Sequence, residues 1–307
     1  MDITYIPYEK INRQKWDRCL VDALHGSLYA TTPYLDVIAG KWDALVKGDY
    51  EMIMPLVFKR KAGIKYLYQP AFLPQTGIFS SRIVDEETVQ AFLEKAFSIF
   101  SFAEISLSYP LQTTAFVKNM KVRERDNFIV DLRSLYEDLY KNYLPAFTKS
   151  LRRLQKLSLQ YSIGEDPKEV TRLFQSLYPE KITGATATDI RKFNAACASM
   201  EPGKNIFIRK VYGGDKKLLC AVILLRFNNR LYNMMSCINA EGKKAEANYF
   251  LYDKIIEEFA GKGMQLDLEG SDIKGIAVFY RKMNPVNETY NFIRYNNLPP
   301  LLRLFKK

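Results

Sequence analysis

One order of elements, a β-hairpin followed by a helix and a strand, is predicted twice along the 307 residues. In the first half, WDALVKGDYEMIMPLVF (42–58) has two β-rich arms around a turn. DEETVQAFLEKAFSIF (85–100) is typical of a helix with acids in its first turn, and FAEISLSY (102–109) is typical of a strand. The second half repeats the order with a hairpin at 218–238, a glycine-terminated helix at 245–263 and a strand at 264–269.

The two copies lie about 160 residues apart, from Glu104 to Asp267, and share almost no identity. They predict an α+β protein with two units of like fold, each a mixed sheet with flanking helices. Chance recurrence of common α+β segments is the alternative. The predicted boundaries are 1–141 for the first domain, 142–158 for a connecting helix and 159–307 for the second domain.

The connecting segment, NYLPAFTKSLRRLQKLS, predicts an amphipathic helix that starts near Pro145. At about 100° per residue, Phe147, Leu151 and Leu154 fall on one side of this helix. The opposite side carries four cations, with no acid interleaved at helical spacing: Lys149, Arg152, Arg153 and Lys156. This stripe indicates a surface that binds phosphate, although a solvated helix face would have the same pattern.

The overall charge also favours an anionic partner, since 45 Lys and Arg oppose 34 Asp and Glu for a net charge of +11. A basic nucleic-acid-binding or membrane-surface protein is therefore a non-enzymatic alternative, and the tail PPLLRLFKK (299–307) combines apolar and cationic residues. The aromatic residues, however, do not alternate with Lys and Arg as a base-stacking platform requires.

Several classes are disfavoured by what the chain contains. Its four cysteines are scattered without CxxC spacing, and His25 is the single histidine, which argues against a metal site and against Cys/His or Ser/His catalysis. No secretory signal is evident at the start, and the longest apolar runs are too short to span a bilayer. We expect a cytoplasmic protein without stable membrane insertion.

Three stretches together resemble the Fem-type aminoacyltransferases: KSLRRLQK (149–156), DLEGS (267–271) and GIAVFYRKM (275–283). YATTPYLDVIAGKWDAL (29–45) and YQPAFLPQTGIFS (68–80) look like an uncharacterised, acetyltransferase-like branch of this group. The resemblance covers nearly the whole chain. It implies two tandem GNAT-like domains and transfer of an amino acid from aminoacyl-tRNA to a peptidoglycan precursor. Gly275 and Phe279 match the family's late motif, whereas Tyr280, followed by Arg281, stands where the family has a lysine.

Acyl transfer to an amine requires proton removal, stabilisation of the developing oxyanion and close positioning of the reactants. Asp267 and Glu269 are the candidate bases, because residues two apart on a strand share a face. Solvated strand-end acids would look the same. Tyr280 and Arg281 are the candidates for polarising the carbonyl, and a rim position is the alternative for Tyr280. We expect the site in a cleft between the domains.

A CoA-dependent N-acetyltransferase is the competing enzyme. Such enzymes resemble one another in a glycine-rich loop that holds the pyrophosphate through backbone N–H groups at a helix start. The corresponding loop here, INAEGKKAEAN (238–248), offers one glycine, Gly242, with Lys243 and Lys244 as further candidate substrate-binding residues. We therefore expect no tightly bound cofactor. The expected donor is aminoacyl-tRNA or acyl-CoA, and the expected acceptor is anionic.

Overall fold

The computed structural model describes residues 2–61, 63–108, 117–180 and 184–300. The tail's residues 301–307 lie outside these ranges. The described strands are β1 (Ile3–Ile6), β2 (Trp42–Lys47), β3 (Met52–Lys61), β4 (Ile64–Leu67), β5 (Phe79–Ser80), β6 (Phe102–Leu107), β7 (Met120–Arg125), β8 (Phe128–Asp131), β9 (Gln160–Gly164), β10 (Ile206–Tyr212), β11 (Leu218–Phe227), β12 (Arg230–Ile238), β13 (Gln265–Asp267), β14 (Val286–Asn287) and β15 (Tyr290–Asn296).

The described α-helices are α1 (Arg13–Asp22), α2 (Thr32–Ile38), α3 (Glu86–Ile99), α4 (Tyr136–Asn142), α5 (Pro145–Leu154), α6 (Pro167–Leu177), α7 (Ala187–Ala198), α8 (Ala240–Lys244), α9 (Ala247–Phe259) and α10 (Lys274–Tyr280). Within the described ranges, none of the helices is both long and apolar enough to cross a bilayer.

The chain forms two compact units, each around its own mixed sheet, as predicted. Unit 1 contains residues 1–125 and 289–307, and its strands lie in the order β1-β2-β3-β4-β6-β15-β7, with β5 paired to β3. Helix α3 packs on this sheet through its apolar face, and Phe97 stacks on Tyr295 of β15 with ring centroids 4.1 Å apart.

Unit 2 contains residues 126–288, and its strands lie in the order β14-β8-β13-β12-β11-β10-β9. Its core joins the sheet to α5 and α9, with Phe147, Leu224 and Ile255 fully buried. Each sheet has one parallel pair among its described strands, β4–β6 in unit 1 and β12–β13 in unit 2.

The chain passes between the two units twice, and a strand beside each crossing lies inside the sheet of its unit. In unit 1, β15 from the C-terminal region lies between β6 and β7 and pairs with each over six residues. In unit 2, β8, which directly follows β7, lies between β13 and β14. The contact boundary therefore falls after residue 125 rather than 141, and the chain returns to unit 1 after residue 288.

The segment 142–158, expected to connect domains, belongs to unit 2. Phe147, Leu151 and Leu154 are buried in its core, as the periodicity predicts, because the apolar face of α5 packs against α9. The repeated hairpin–helix–strand order is present but offset by one strand. The 42–58 hairpin, β2–β3, holds the second and third places of its sheet counted from β1, whereas the 218–238 hairpin, β11–β12, holds the third and fourth places counted from β9.

Candidate functional site

The parallel strands of unit 2 separate soon after they meet. They pair at only three positions, the last being Tyr232 with Asp267, although β12 continues to Ile238. A register shift against β11 occurs at Ile223/Leu224, just beyond Asn233 on β12. Beyond Asp267 the other strand turns away, since Glu269 and Gly270 have φ values of 44° and 64°. Beyond Tyr232 and Asp267 the two strands therefore no longer pair with each other.

In unit 1 the equivalent place lies beyond the parallel pair β4–β6, and there the chain itself fills the gap. The loop after β4 brings Thr76 into a parallel bridge with Leu107, and the Ser106 N–H donates to Gln69 Oε1 at 3.0 Å. The cavity that remains, lined by Met54, Leu67, Thr76 and their neighbours, has about 10 Å³. That volume holds no more than one water molecule. The separating strands of unit 2 are therefore the candidate site.

Three buried polar side chains meet where β12 and β13 separate. Asn233, 5% exposed, directs its Nδ2 to the hydroxyl oxygens of Tyr252 at 2.7 Å and Tyr280 at 2.8 Å, and to the carbonyl of Leu268 at 3.1 Å. Burial, reinforced by Tyr252 and by the negative charge of Glu269, raises the pKa of Tyr280 well above its usual value. Tyr280 is therefore a neutral hydroxyl, as a hydrogen-bond donor to a carbonyl must be.

Asp267 is fully occupied by structural contacts. Its Oδ2 accepts from Asn127 Nδ2 at 3.2 Å and Arg230 Nη1 at 3.1 Å, and its Oδ1 accepts from the Glu269 N–H at 3.2 Å. It is 1% exposed; burial raises the pKa of its carboxyl, and the Arg230 guanidinium opposes that rise. This network fixes the strands of unit 2 to one another, because Arg230 also reaches Glu288 at 2.5 Å.

Glu269 does not share the face of Asp267 through strand alternation, because β13 ends at Asp267 and Glu269 is in the left-handed region. A non-glycine residue in that region carries backbone strain, which often accompanies functional positions. Glu269 is half-buried, and its charge acts on Tyr280. Of the two acids, it is the one at the edge of the polar cluster.

Arg281 lies apart from this cluster. Its exposed guanidinium pairs with Asp126 at 2.9 Å and packs over the Phe128 ring at 5.0 Å. The sequence places it beside Tyr280, but a helix turns successive side chains by about 100°, so the buried tyrosine and the exposed arginine point apart.

The cations of α5 are exposed, as expected, but they are not equivalent. Arg153 pairs with Glu246 and also reaches Ser150 Oγ at 3.1 Å. Within the described residues, Lys149, Arg152 and Lys156 form no ion pair. Lys156 lies beyond the end of the helix. The structure brings Arg153 against the start of α9, close in sequence to Lys243 and Lys244.

The loop that corresponds to the pyrophosphate loop of CoA-dependent acetyltransferases has several of its backbone donors occupied. The Gly242 N–H donates to Asn239 Oδ1 at 2.7 Å, and the N–H groups of Lys243 and Glu246 bond to backbone carbonyls. A Cβ on Gly242 would approach the Leu219 carbonyl oxygen to 2.5 Å, so this glycine serves packing. The Glu246 carboxylate, at the N-cap of α9, is paired with Arg153, so this cation is already occupied by an acid at the place where a phosphate would bind. Lys243 and Lys244 are both exposed, and the ammonium of Lys243 lies 5.8 Å from the Tyr178 ring centroid.

Sequence reasoning missed Asn233, Tyr252 and Arg230. A signal was present for Asn233, the one amide within the otherwise apolar strand segment LYNMM. Arg230 and Tyr252 carried none, because their roles depend on partners about 20 to 60 positions away in the sequence.

Comparisons with known proteins agree with this fold. Residues 141–272 match the family model described as an acetyltransferase (GNAT) domain. The structure is similar to that of FemX, at 12% identity over 100% of both chains with a TM-score of 0.68. It is also similar to the C-terminal domain of a protein from Agrobacterium fabrum assigned as a lysylphosphatidylglycerol synthetase, at 12% identity over 96% and 95% of the chains with a TM-score of 0.57.

A tandem GNAT protein from the clavulanic acid biosynthesis pathway aligns over 97% of this chain and 99% of its own, at 11% identity and a TM-score of 0.52. No curated protein sequence matches the chain. Residues 141–272 are thus similar to a GNAT acetyltransferase domain, and the whole chain has the fold of the solved structures named above. More particularly, the fold is similar to that of FemX and of a tandem GNAT protein, which confirms the predicted fold of two GNAT-like units and the resemblance to Fem-like tandem GNAT proteins.

Proposed function

We propose that the protein transfers an aminoacyl group from aminoacyl-tRNA to an amine on an anionic acceptor, such as a cell-wall precursor. The choice of aminoacyl-tRNA over acyl-CoA as donor is supported by the hydrogen bonds within segment 239–246. Its N–H groups at Gly242, Lys243 and Glu246 are bonded within the protein, and the Glu246 carboxylate lies at the start of α9. A pyrophosphate needs free N–H groups and positive potential at that place. An aminoacyl-tRNA, which surface cations can hold through its phosphates, does not need free N–H groups at that place.

In this proposal, the acceptor amine attacks the ester carbonyl, and the amide bond forms as the ester bond to the tRNA ribose breaks. Glu269 takes the proton from the amine, directly or through water, and returns it to the departing ribose oxygen. Its position at the edge of the polar cluster supports this role, whereas Asp267 has an Arg230 partner and no exposure. An aminoacyl ester is already activated, so no covalent nucleophile is required. Tyr280 is the candidate donor of a hydrogen bond to the developing oxyanion. Arg281, paired with Asp126 on the surface, is the weaker candidate for polarising the carbonyl.

The exposed cations supply the attraction for phosphates of the donor or acceptor. Lys149, Arg152 and Lys156 hold no acidic partner among the described residues, and Lys243 and Lys244 follow on the neighbouring segment. Similarity in fold to a lysylphosphatidylglycerol synthetase supports an acceptor that carries a phosphate. The net charge of +11 favours the same class of partner. We further propose that the reaction takes place in the cytoplasm, where charged tRNA is available.

A CoA-dependent N-acetyltransferase is the second candidate. The observation that favours it is the match of residues 141–272 to a family described as acetyltransferases. CoA-dependent transfer would require the pyrophosphate of CoA to bind at residues 239–246, where backbone N–H groups are occupied by bonds within the protein.

The deciding experiment offers the protein a panel of radiolabelled aminoacyl-tRNAs and, separately, acetyl-CoA, with a nucleotide-linked muropeptide and an aminated phospholipid headgroup as acceptors. Transfer from aminoacyl-tRNA, reduced at least about 100-fold by Glu269→Gln, is the expected result. Glu257→Gln, an exposed acid on α9, serves as the matched control. Acetyl transfer without aminoacyl transfer would replace this proposal with the second candidate.

A further inference from the structure

The buried amide of Asn233 is not satisfied by the protein. Its Nδ2 carries two hydrogens but faces three acceptors within 3.1 Å, the two tyrosine hydroxyls and the Leu268 carbonyl. Its Oδ1 is buried and receives no hydrogen bond from any described residue. Buried polar atoms are nearly always paired, so this oxygen and the surplus acceptor both call for a donor from outside the chain.

The surroundings of this oxygen select the kind of donor. The groups around the Asn233 amide can all accept a hydrogen bond, since the Leu268 carbonyl and the hydroxyl oxygens of Tyr252 and Tyr280 lie within 3.1 Å of its Nδ2, and Glu269 adds negative charge near Tyr280. A phosphate or carboxylate would add a further acceptor and like charge. A primary ammonium brings three N–H donors and a positive charge, and it therefore complements the cluster.

Two partly exposed side chains adjoin the buried cluster. Ser236, half-buried, interacts with the Tyr252 hydroxyl, and half-buried Glu269 adjoins Tyr280. Both flank the place where β12 and β13 cease to pair. A small group carried on a larger substrate can thus enter at the separation of the strands, while the bulk of the substrate remains outside.

We propose that Asn233 Oδ1, with the surrounding acceptors, binds the α-ammonium group of the aminoacyl donor and selects aminoacyl over simple acyl donors. This inference rests on the proposed function and gives a structural reason for its preference for aminoacyl donors. A donor without the amine leaves the buried oxygen unpaired. Sites built to hydrogen-bond a substrate group reject analogues that lack it far more strongly than apolar pockets reject a missing methylene.

The test compares two donors on the same tRNA, an alanyl ester and its deamino analogue, the propionyl ester, which has no hydrogen-bond donor at the α-carbon. The wild-type protein should prefer the alanyl ester by at least about 100-fold in kcat/KM. Asn233→Leu should reduce this preference to less than about 5-fold, and Asn233→Asp, which keeps the acceptor oxygens, should retain it. Asn194→Ala, an asparagine of α7 bonded to Thr171, is the control and should keep the full preference.

A binding measurement separates this inference from the proposed function and from misfolding. Alanine methyl ester should raise the melting temperature of the wild type and of Asn233→Asp, whereas methyl propionate, which lacks a hydrogen-bond donor, should not. An unchanged donor preference in a folded Asn233→Leu variant, or equal stabilisation by both esters, would show that the oxygen is paired only by water. Ester binding that depends on Asn233, without any transfer from aminoacyl-tRNA, would overturn the proposed function and leave this site in place.

Discussion

Replacing Asp267 with asparagine separates a structural role from a catalytic one. In the structure, one carboxylate oxygen accepts from Asn127 and Arg230 and the other accepts from the Glu269 N–H. An amide in the same place keeps a single acceptor oxygen. If that oxygen faces Asn127 and Arg230, its NH₂ group opposes the Glu269 N–H, and one buried donor loses its partner.

The expected cost follows from these contacts. An unsatisfied buried donor costs about 1–3 kcal/mol, and removing one member of a buried ion pair costs about 3–5 kcal/mol. Arg230 keeps Glu288 at 2.5 Å, which limits the second contribution. We therefore expect Asp267→Asn to lower the free energy of unfolding by about 3 kcal/mol, and to lower the melting temperature by roughly 6–12 °C for a unit of this size.

Urea unfolding at pH 7 measures this change, and kcat for aminoacyl transfer is measured at a temperature where the variant remains folded. A double-mutant cycle with Arg230→Gln should give a coupling energy of about 1–3 kcal/mol. If Asp267→Asn unfolds at the wild-type urea concentration but loses more than about 100-fold in kcat, Asp267 is the base and the structural assignment fails.

Three further predictions test other parts of unit 2. Burial raises the pKa of Asp253 to about 6, and since its unfolded pKa is near 3.9, the protein loses stability as the pH rises through this interval. Asp253→Asn should thus be more stable than the wild type by up to about 3 kcal/mol at pH 8 and no more stable at pH 4, and equal differences at both pH values in urea unfolding would contradict this. Gly242→Ala should lower the melting temperature by roughly 5 °C because its Cβ meets the Leu219 carbonyl, whereas Gly275→Ala, which meets nothing within 4 Å, should not lower it. Arg152→Glu should weaken tRNA binding and reduce the slope of log K against log salt by about one unit, whereas Lys204→Glu, already paired with Glu201, should leave the slope unchanged; equal slopes for both variants would exclude the α5 stripe as a phosphate site.

The sequence by itself determined the elements and the class of fold. The helix at 85–100, the hairpins at 42–58 and 218–238 and the buried face of α5 follow from local periodicity and turn chemistry, and the structure has each of them. These features depend on residues near in sequence, which is why they can be predicted from it. The Fem-like resemblance likewise rested on short motifs.

Only the tertiary structure decided which strands pair within each unit and which polar residues come into contact. The pairing of β15 with β6 and β7 and the contact of Arg153 with Glu246 join residues about 90 to 190 positions apart. Asp267 and Glu269 look alike in sequence, yet the end of β13 buries one in an ion pair and leaves the other at the edge of the polar cluster. Local patterns specify which face of an element is apolar, but the partner of a buried polar group is fixed only when distant segments pack together.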